Sequence, residues 1–245
     1  MSEKIQKVLA HAGVGSRREV ERWIQEGRVN INSRLATIGD RMTYHDKIFI
    51  DGHEVKLIKS KNQQARVLLY HKPEGEICTR HDPEGRPTIF ESLPMIRNSR
   101  WICVGRLDFN TSGLLLFTNQ GELANLLMHP SSEIEREYAV RIRGDVSAEV
   151  TNKLLKGVML EDGMASFDSL IEAGGNGTNH WYHVIVREGR NRLVRRLWEA
   201  LGFTVSRLIR IRFGPVYLPA RLKRGKFIDL TEEEVNALIE SCKRD

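Results

Sequence analysis

The fifteen residues from Gly105 to Asn119, Gly-Arg-Leu-Asp-Phe-Asn-Thr-Ser-Gly-Leu-Leu-Leu-Phe-Thr-Asn, set one carboxylate where a carboxylate needs a reason. Apolar Trp101-Ile102-Cys103-Val104 leads in and Leu114-Leu115-Leu116-Phe117 leads out. Both runs have the length of buried strands and are too short for a core helix. Between them stands Asp108, with Arg106 two residues before it and Gly113 closing the turn. A charge between two core strands is either paired or at work. Two readings fit the spacing. Asp108 can cap its own backbone in a hairpin-like corner, or neighbouring arginines can keep it ionised and ready as a nucleophile or base.

Other chemistries find little support. His180 and His183 lie three apart in an expected strand, face opposite sides and cannot share one ion. There is no HExxH, no Walker glycine loop and no Gly-x-Ser-x-Gly elbow, which argues against zinc hydrolysis, nucleoside triphosphate chemistry and serine hydrolysis. A glycosidase needs two facing carboxylates, and only Asp108 has a special setting. Gly174-Gly175-Asn176-Gly177 lacks dinucleotide-loop spacing and reads as a turn. No metal site is expected.

The charge distribution points to a polyanion. The 245 residues carry 38 Lys and Arg against 32 Asp and Glu, a net +6. Residues 187–226 hold twelve basic and two acidic residues, a net +10, whereas residues 62–186 hold twelve and sixteen. So one-sided a block suggests phosphate contact. Where that polyanion is a nucleic acid, a lone carboxylate beside arginines suits chemistry at a sugar–base bond. Cys78, Cys103 and Cys242 are odd in number and form no CxxC pair, which fits a reducing cytoplasm. Met-Ser-Glu-Lys is charged at once, unlike a signal peptide. No apolar run approaches the roughly 20 residues a bilayer needs. A soluble, cytoplasmic protein without a membrane partner is expected.

The elements that must position Asp108 follow from periodicity. Ser2 is expected to cap a helix with Ile5, Val8, Leu9 and Ala12 inward, stopping at Gly13. Ser16 and Glu19 have the spacing of a capping box for a second helix, with Val20, Trp23 and Ile24 inward. Val29–Asn32 reads as a strand, and Ile48–Val55 as a hairpin turning at Asp51-Gly52. Two helices and a short sheet give a compact first domain over 1–60, with Arg17, Arg18, Arg22 and Arg28 on or near its second helix. Residues 61–65 read as a linker, and 66–245 as a second domain. There, strands are expected at Val67–Tyr70, Glu76–Thr79, Trp101–Val104, Leu114–Phe117, Arg136–Ile142, Ala165–Ile171, Trp181–Val186 and Phe203–Phe213. Helices are expected at Gly121–His129, at Ser147–Lys156, after an Asn191 cap, and after a Thr231/Glu234 capping box. The class is α+β.

The first domain resembles an S4 RNA-binding domain, on Lys7-Val8-Leu9-Ala10, Gly15-Ser16-Arg17-Arg18-Glu19-Val20-Glu21 and Ile24-Gln25-Glu26-Gly27-Arg28-Val29-Asn30-Ile31-Asn32. Gly105-Arg106-Leu107-Asp108, continuing through Thr111-Ser112-Gly113-Leu114-Leu115-Leu116, resembles the catalytic motif of pseudouridine synthases. Lys72-Pro73-Glu74-Gly75 is similar to that family's first motif, Glu137-Tyr138 to its tyrosine-bearing strand, and Glu188-Gly189-Arg190-Asn191-Arg192-Leu193-Val194-Arg195-Arg196 to its arginine-bearing one. The likeness covers nearly the whole chain and is strongest to the branch of the family that takes its name from the small ribosomal particle. It implies a mixed, largely antiparallel catalytic sheet behind the S4-like domain. It further implies isomerisation of uridine to pseudouridine in ribosomal RNA by a monomer without cofactor or metal. The substrate implied is 23S RNA above all, free or in an intermediate of large-particle assembly. Asp108 would act at the sugar as nucleophile or base, Tyr138 would stack on the detached base, and Arg195 would pair with Asp108. Leu208, Arg106, Lys72 and Arg192 would contact substrate. Arg17, Arg18, Arg22, Arg28, Arg190 and Arg196 would contact RNA. The rival readings are a paralogue acting on 16S RNA and a non-catalytic S4-type assembly factor.

Overall fold

The computed structural model describes residues 2–43, 45–57, 65–96 and 99–243. Of the expected linker 61–65, all but Ala65 lies outside the described residues. Backbone packing separates two units. One comprises Met1–Ala65 with Met95–Ile102 and Asn119–Gly121; the other comprises Arg66–Pro94, Cys103–Thr118 and Glu122–Asp245.

The N-terminal residues form, in chain order, β1 (Glu3–Lys4), α1 (Ile5–His11), α2 (Arg17–Gln25), β2 (Val29–Ile31), β3 (Arg34–Leu35), β4 (Arg41–Met42), β5 (Ile48–Ile50) and β6 (His53–Val55). Ser16 and Glu19 close the expected capping box on α2. Ser2 does not cap α1. Residues 3 and 4 are drawn into pairing with β4, which moves the helix start beyond its reach and leaves Lys4 as an N-cap without a side-chain bond. Strands run β3-β2-β5-β6 in one sheet. The β5–β6 hairpin turns at Asp51 (φ 51°) and Gly52 (φ 80°), the two positive angles a two-residue turn requires. Ile5, Leu9, Val20, Val29 and Ile48 are wholly buried between the helices and this sheet.

The following elements are β7 (Val67–Lys72), β8 (Ile102–Val104), β9 (Ser112–Thr118), α3 (Gly121–Met128), β10 (Arg136–Arg143), α4 (Ala148–Lys156), β11 (Val158–Leu160), β12 (Gly163–Ala165), β13 (Ser169–Asn176) and β14 (Asn179–Val186). Then come α5 (Leu193–Glu199), β15 (Val205–Phe213), β16 (Val216–Tyr217), β17 (Phe227–Asp229) and α6 (Glu232–Glu240). The main sheet runs β13-β14-β10-β15-β9-β7-β17, with β16 on β15 and β8 on β9. Every neighbour along that order is antiparallel except β15 with β9, which pair in parallel. All seven residues of β9 are buried, as the apolar run implied for a central strand. The larger core gathers Val140, Ile142, Val184, Leu197, Trp198 and Leu208, where α5 packs on the sheet.

Several local expectations are corrected. Glu76–Thr79 is no return strand; only an isolated bridge joins Ile77 to Thr88. The expected strand Ala165–Ile171 divides between β12 and β13. Gly174, Gly175 and Asn176 lie inside β13, which is bulged between Glu172 and Gly175, so the turn shrinks to the residues after Asn176. Asn191 does not cap α5: Arg192 takes that position with φ 50° and no side-chain bond.

Candidate active site

A cavity of about 540 Å³ opens in the second unit. Asp108, Arg106, Leu107, Tyr138, Arg192 and Leu208 all line it, so residues separated by a hundred positions converge as the family motifs implied. Asp108 lies on the loop between β8 and β9. The peptide carbonyls of five consecutive residues there each accept a hydrogen bond. Cys78 Sγ donates to Leu107 O (3.2 Å), and Lys72 Nζ donates to Asp108 O (3.1 Å) and Thr111 O (3.0 Å). The Gly75 N–H donates to Phe109 O (2.9 Å), and Arg195 Nη2 to Asn110 O (2.9 Å). The Thr111 N–H closes the turn back on Asp108 O. By contrast the Asp108 carboxylate makes no hydrogen bond or ion pair among the described residues. Its backbone is fixed and its oxygens are left open to the cavity.

Two expected roles are thereby corrected. Arg195 does not ion-pair with Asp108. It is 7% exposed, and its terminal nitrogens hold the carbonyls of Val205 and Asn110. Lys72 is wholly buried with its ammonium on three carbonyls, those of Pro73, Asp108 and Thr111. It braces the Asp108 loop and has no donor left for substrate. Burial pushes its pKa down.

The wall opposite Asp108 depends on a break in strand parity. β10 faces β15 with Glu137 opposite Arg212 and Tyr138 opposite Arg210, so Ile211 is an extra residue. This bulge lets Leu208, Arg210 and Phe213 all line the cavity, at a spacing of two and then three. Arg212 is turned to the other face, where it meets Glu137 (2.7 Å) and Glu135 (3.1 Å).

The basic block is less exposed than its charge suggested. Arg195, Arg210 and Arg212 are all under 10% exposed. Arg190 and Arg196 do not stand free for phosphate, because both hold Asp162 and Arg190 also holds Glu188. Arg192, on the cavity wall, reaches Glu199 (3.3 Å). In the N-terminal unit Arg28 is tied to Asp51 and Glu26, and Arg22 stands 3.7 Å from Glu26. Arg17 and Arg18 are exposed, with no ion pair among the described residues.

Among the cavity residues outside the motifs are Arg136, Arg210 and Cys78. The first two were legible by parity, since Arg136 is two residues from Tyr138 and Arg210 two from Leu208 along their strands. Cys78 had no such signal. Its thiol is hydrogen-bonded by Cys103, which outweighs burial; the Leu107 N–H and the charges of Lys72 and Arg210 assist, holding it at about 7. Cys103 is pushed well up by the same contact and by burial.

A sheet with one central carboxylate loop, preceded by a small unit of two helices and a short sheet, has counterparts among known proteins. Residues 66–200 match the RNA pseudouridylate synthase family and residues 3–43 the S4 domain, and the chain belongs to the RNA pseudouridylate synthase family. It is 59% identical over 241 residues to ribosomal large subunit pseudouridine synthase B of Pseudomonas aeruginosa, covering 98% of this chain and 62% of that protein. To the protein of the same name from Vibrio cholerae it is 57% identical over 241 residues, covering 98% of this chain and 75% of the relative. A crystal structure of a pseudouridylate synthase superposes with a TM-score of 0.67 at 23% identity, covering 96% of this chain and 99% of that one, and so shares the fold. Among the described residues no helix is long and apolar enough to cross a membrane.

Proposed function

We propose that this chain converts a uridine of large-subunit (23S) ribosomal RNA into pseudouridine, with Asp108 acting at C1′ of a flipped-out nucleotide. The observation that carries the reading is the contrast on one loop: five carbonyls held by donors, and a carboxylate between them without a partner at the cavity. Fixed geometry with a free reactive group is what a nucleophile or base requires. Tyr138, on the opposite wall, offers a ring to stack on the base and a phenol to carry a proton. Leu208 supplies apolar wall, and Arg106, exposed at the rim, suits the displaced strand or a phosphate. Arg195 acts at one remove, by holding Asn110. Extruding the uridine costs a few kcal/mol, to be offset by backbone contacts from Arg106, Arg192 and the exposed Arg17 and Arg18 of the S4 domain. The reaction conserves every atom, so the protein works alone, as a cytoplasmic monomer acting on naked RNA or on a large ribosomal particle during assembly. Relatives named for the large ribosomal subunit favour this substrate over small-subunit RNA.

The test is pseudouridine mapping of ribosomal RNA from cells with and without the gene, beside Asp108→Asn protein in vitro. One large-subunit position should lose its modification. Asp108→Asn should bind RNA within about threefold of wild type and make no pseudouridine. A changed position in small-subunit RNA would redirect the substrate, and unchanged maps together with inert wild-type protein would leave only an RNA binder.

A further inference from the structure

Asp108 explains one charge at the cavity; the arginines opposite need a partner of their own. Arg210 is 2% exposed and lines the cavity, yet among the described residues its one hydrogen bond is from Nε to Leu114 O (2.7 Å), and its buried Nη2 meets no acceptor. Arg136, also on the wall, spends Nη1 on the carbonyls of Ile134 and Arg187. Their guanidinium carbons stand 5.5 Å and 5.2 Å from the centroid of the same Phe213 ring. Burial pushes the Arg136 guanidinium down, and the like charge of Arg210 adds to the effect. Neither arginine meets a carboxylate at ion-pair distance among the described residues. Two neighbouring cations, Arg210 buried and Arg136 half-buried, are costly to keep without a counter-charge, and a fold that keeps them at a ligand cavity is built for negative charge there.

Where that charge arises follows from the register. Arg210 lies directly across from Tyr138 on the paired strand, so it forms the cavity wall beside the ring proposed to carry the base. Resting on the reading of this cavity as a uridine isomerase site, we propose that Arg210 is a catalytic residue that hydrogen-bonds a carbonyl oxygen of the detached uracil. When the N1–C1′ bond breaks, its electron pair stays on the base and spreads from N1 to O2 and O4. C1′ is left to Asp108, whether as an ester or through loss of a sugar proton. After rotation C5 gives an electron pair to C1′ as the bond to Asp108 breaks or, in the other route, as the sugar regains its proton; the proton from C5 leaves while N1 takes one up, so atoms and charge balance. A donor aimed at the base carbonyl is worth most at the moment the base is anionic, so Arg210 accelerates the chemistry more than it tightens RNA binding.

The experiment combines substitution in the protein with substitution in the RNA. Arg210→Gln and Arg210→Lys are compared with wild type for RNA affinity and single-turnover rate, on a ribosomal RNA fragment whose target is uridine, 2-thiouridine or 4-thiouridine. Sulfur accepts hydrogen bonds poorly. Arg210→Gln should slow the chemical step by on the order of 10²–10³-fold with affinity within threefold, and Arg210→Lys should recover part of the rate. One thio substitution should slow wild type and have no further effect on Arg210→Gln. The proposal is overturned if both sulfur positions leave the wild-type rate unchanged, a result that needs no variant to fold. It is equally overturned if affinity falls in step with rate, which marks a phosphate contact. Wild type that makes no pseudouridine defeats the isomerase reading itself, whereas active wild type with equally active Arg210 variants defeats only this inference.

Discussion

Gly113 joins the two halves of the site, and replacing its single hydrogen by a methyl group should damage both. It sits at φ +112° in β9, opposite Arg210 in the parallel pair with β15. A Cβ there would stand 2.6 Å from the Arg210 nitrogen and 2.9 Å from its carbonyl carbon, and nearer still to its carbonyl oxygen. No side-chain rotation relieves a clash between two backbones. Gly113→Ala therefore meets two costs, about 1–3 kcal/mol for an L-residue at that φ and about 1–3 kcal/mol for forcing the strands apart. The sum, roughly 2–6 kcal/mol, is a large part of the 5–15 kcal/mol typical of a domain. At about 2–4 °C per kcal/mol for a protein of this size, Tm should fall by roughly 5–20 °C. Gly85→Ala is the control, because Gly85 has φ +69° and open space around the added methyl, so only the strain remains. Because Gly113 also stands between the Asp108 loop and Arg210, turnover should drop about 100-fold, the usual effect of a 1 Å misplacement, while RNA affinity holds. Thermal unfolding and single-turnover assays on both variants decide the matter. If Gly113→Ala melts within about 2 °C of Gly85→Ala, or keeps full turnover, the close approach is not the constraint described.

Three more outcomes follow from individual contacts. Lys72→Met leaves the carbonyls of Pro73, Asp108 and Thr111 without their donor, and should lower stability by about 3 kcal/mol and turnover much further than RNA affinity, read by urea unfolding and kinetics. Cys78 should react with iodoacetamide at a rate rising through pH about 7, with Cys103 silent until far higher pH, as peptide mapping of the alkylated protein would show. At Glu135, burial raises the carboxyl, but hydrogen bonds from Arg187 and Arg212 outweigh it and hold it below its ordinary 4.5. Its contribution is full above that value and fades as pH falls through the lower folded one, so the Tm gap between wild type and Glu135→Gln should hold at neutral pH and close as pH falls below 4.5.

The Asp108 loop was legible because chemistry and pattern coincided: one charge between two apolar runs, with a tyrosine strand and an arginine helix matching the same family. Helix starts marked by local side-chain bonds, at Ser16, Ser147 and Thr231, were legible for the same reason, since the signal and its partner lie within three residues. What stayed hidden depended on distant chain. Ser2 lost its helix to a strand pairing with Arg41 and Met42. Arg195 and Lys72 look like solvent cations in a linear string, and only the assembled sheet shows that backbone carbonyls take up their donors. The +10 block misleads likewise, because a count of charges carries no information about which arginines carboxylates and carbonyls take up, or that the bulge at Ile211 turns Arg212 away from the cavity.

The parallel pairing of Ser112 with Ile209 also sets an order of events in synthesis. Almost a hundred residues separate those partners, and strand associations of such long range form late. A nascent chain that has not yet extruded β15 has no Leu208, Arg210 or Phe213 to face Asp108, so the enzyme comes into existence only once β15 has been translated. Truncations from the C-terminus must then abolish isomerisation abruptly, and not by degrees.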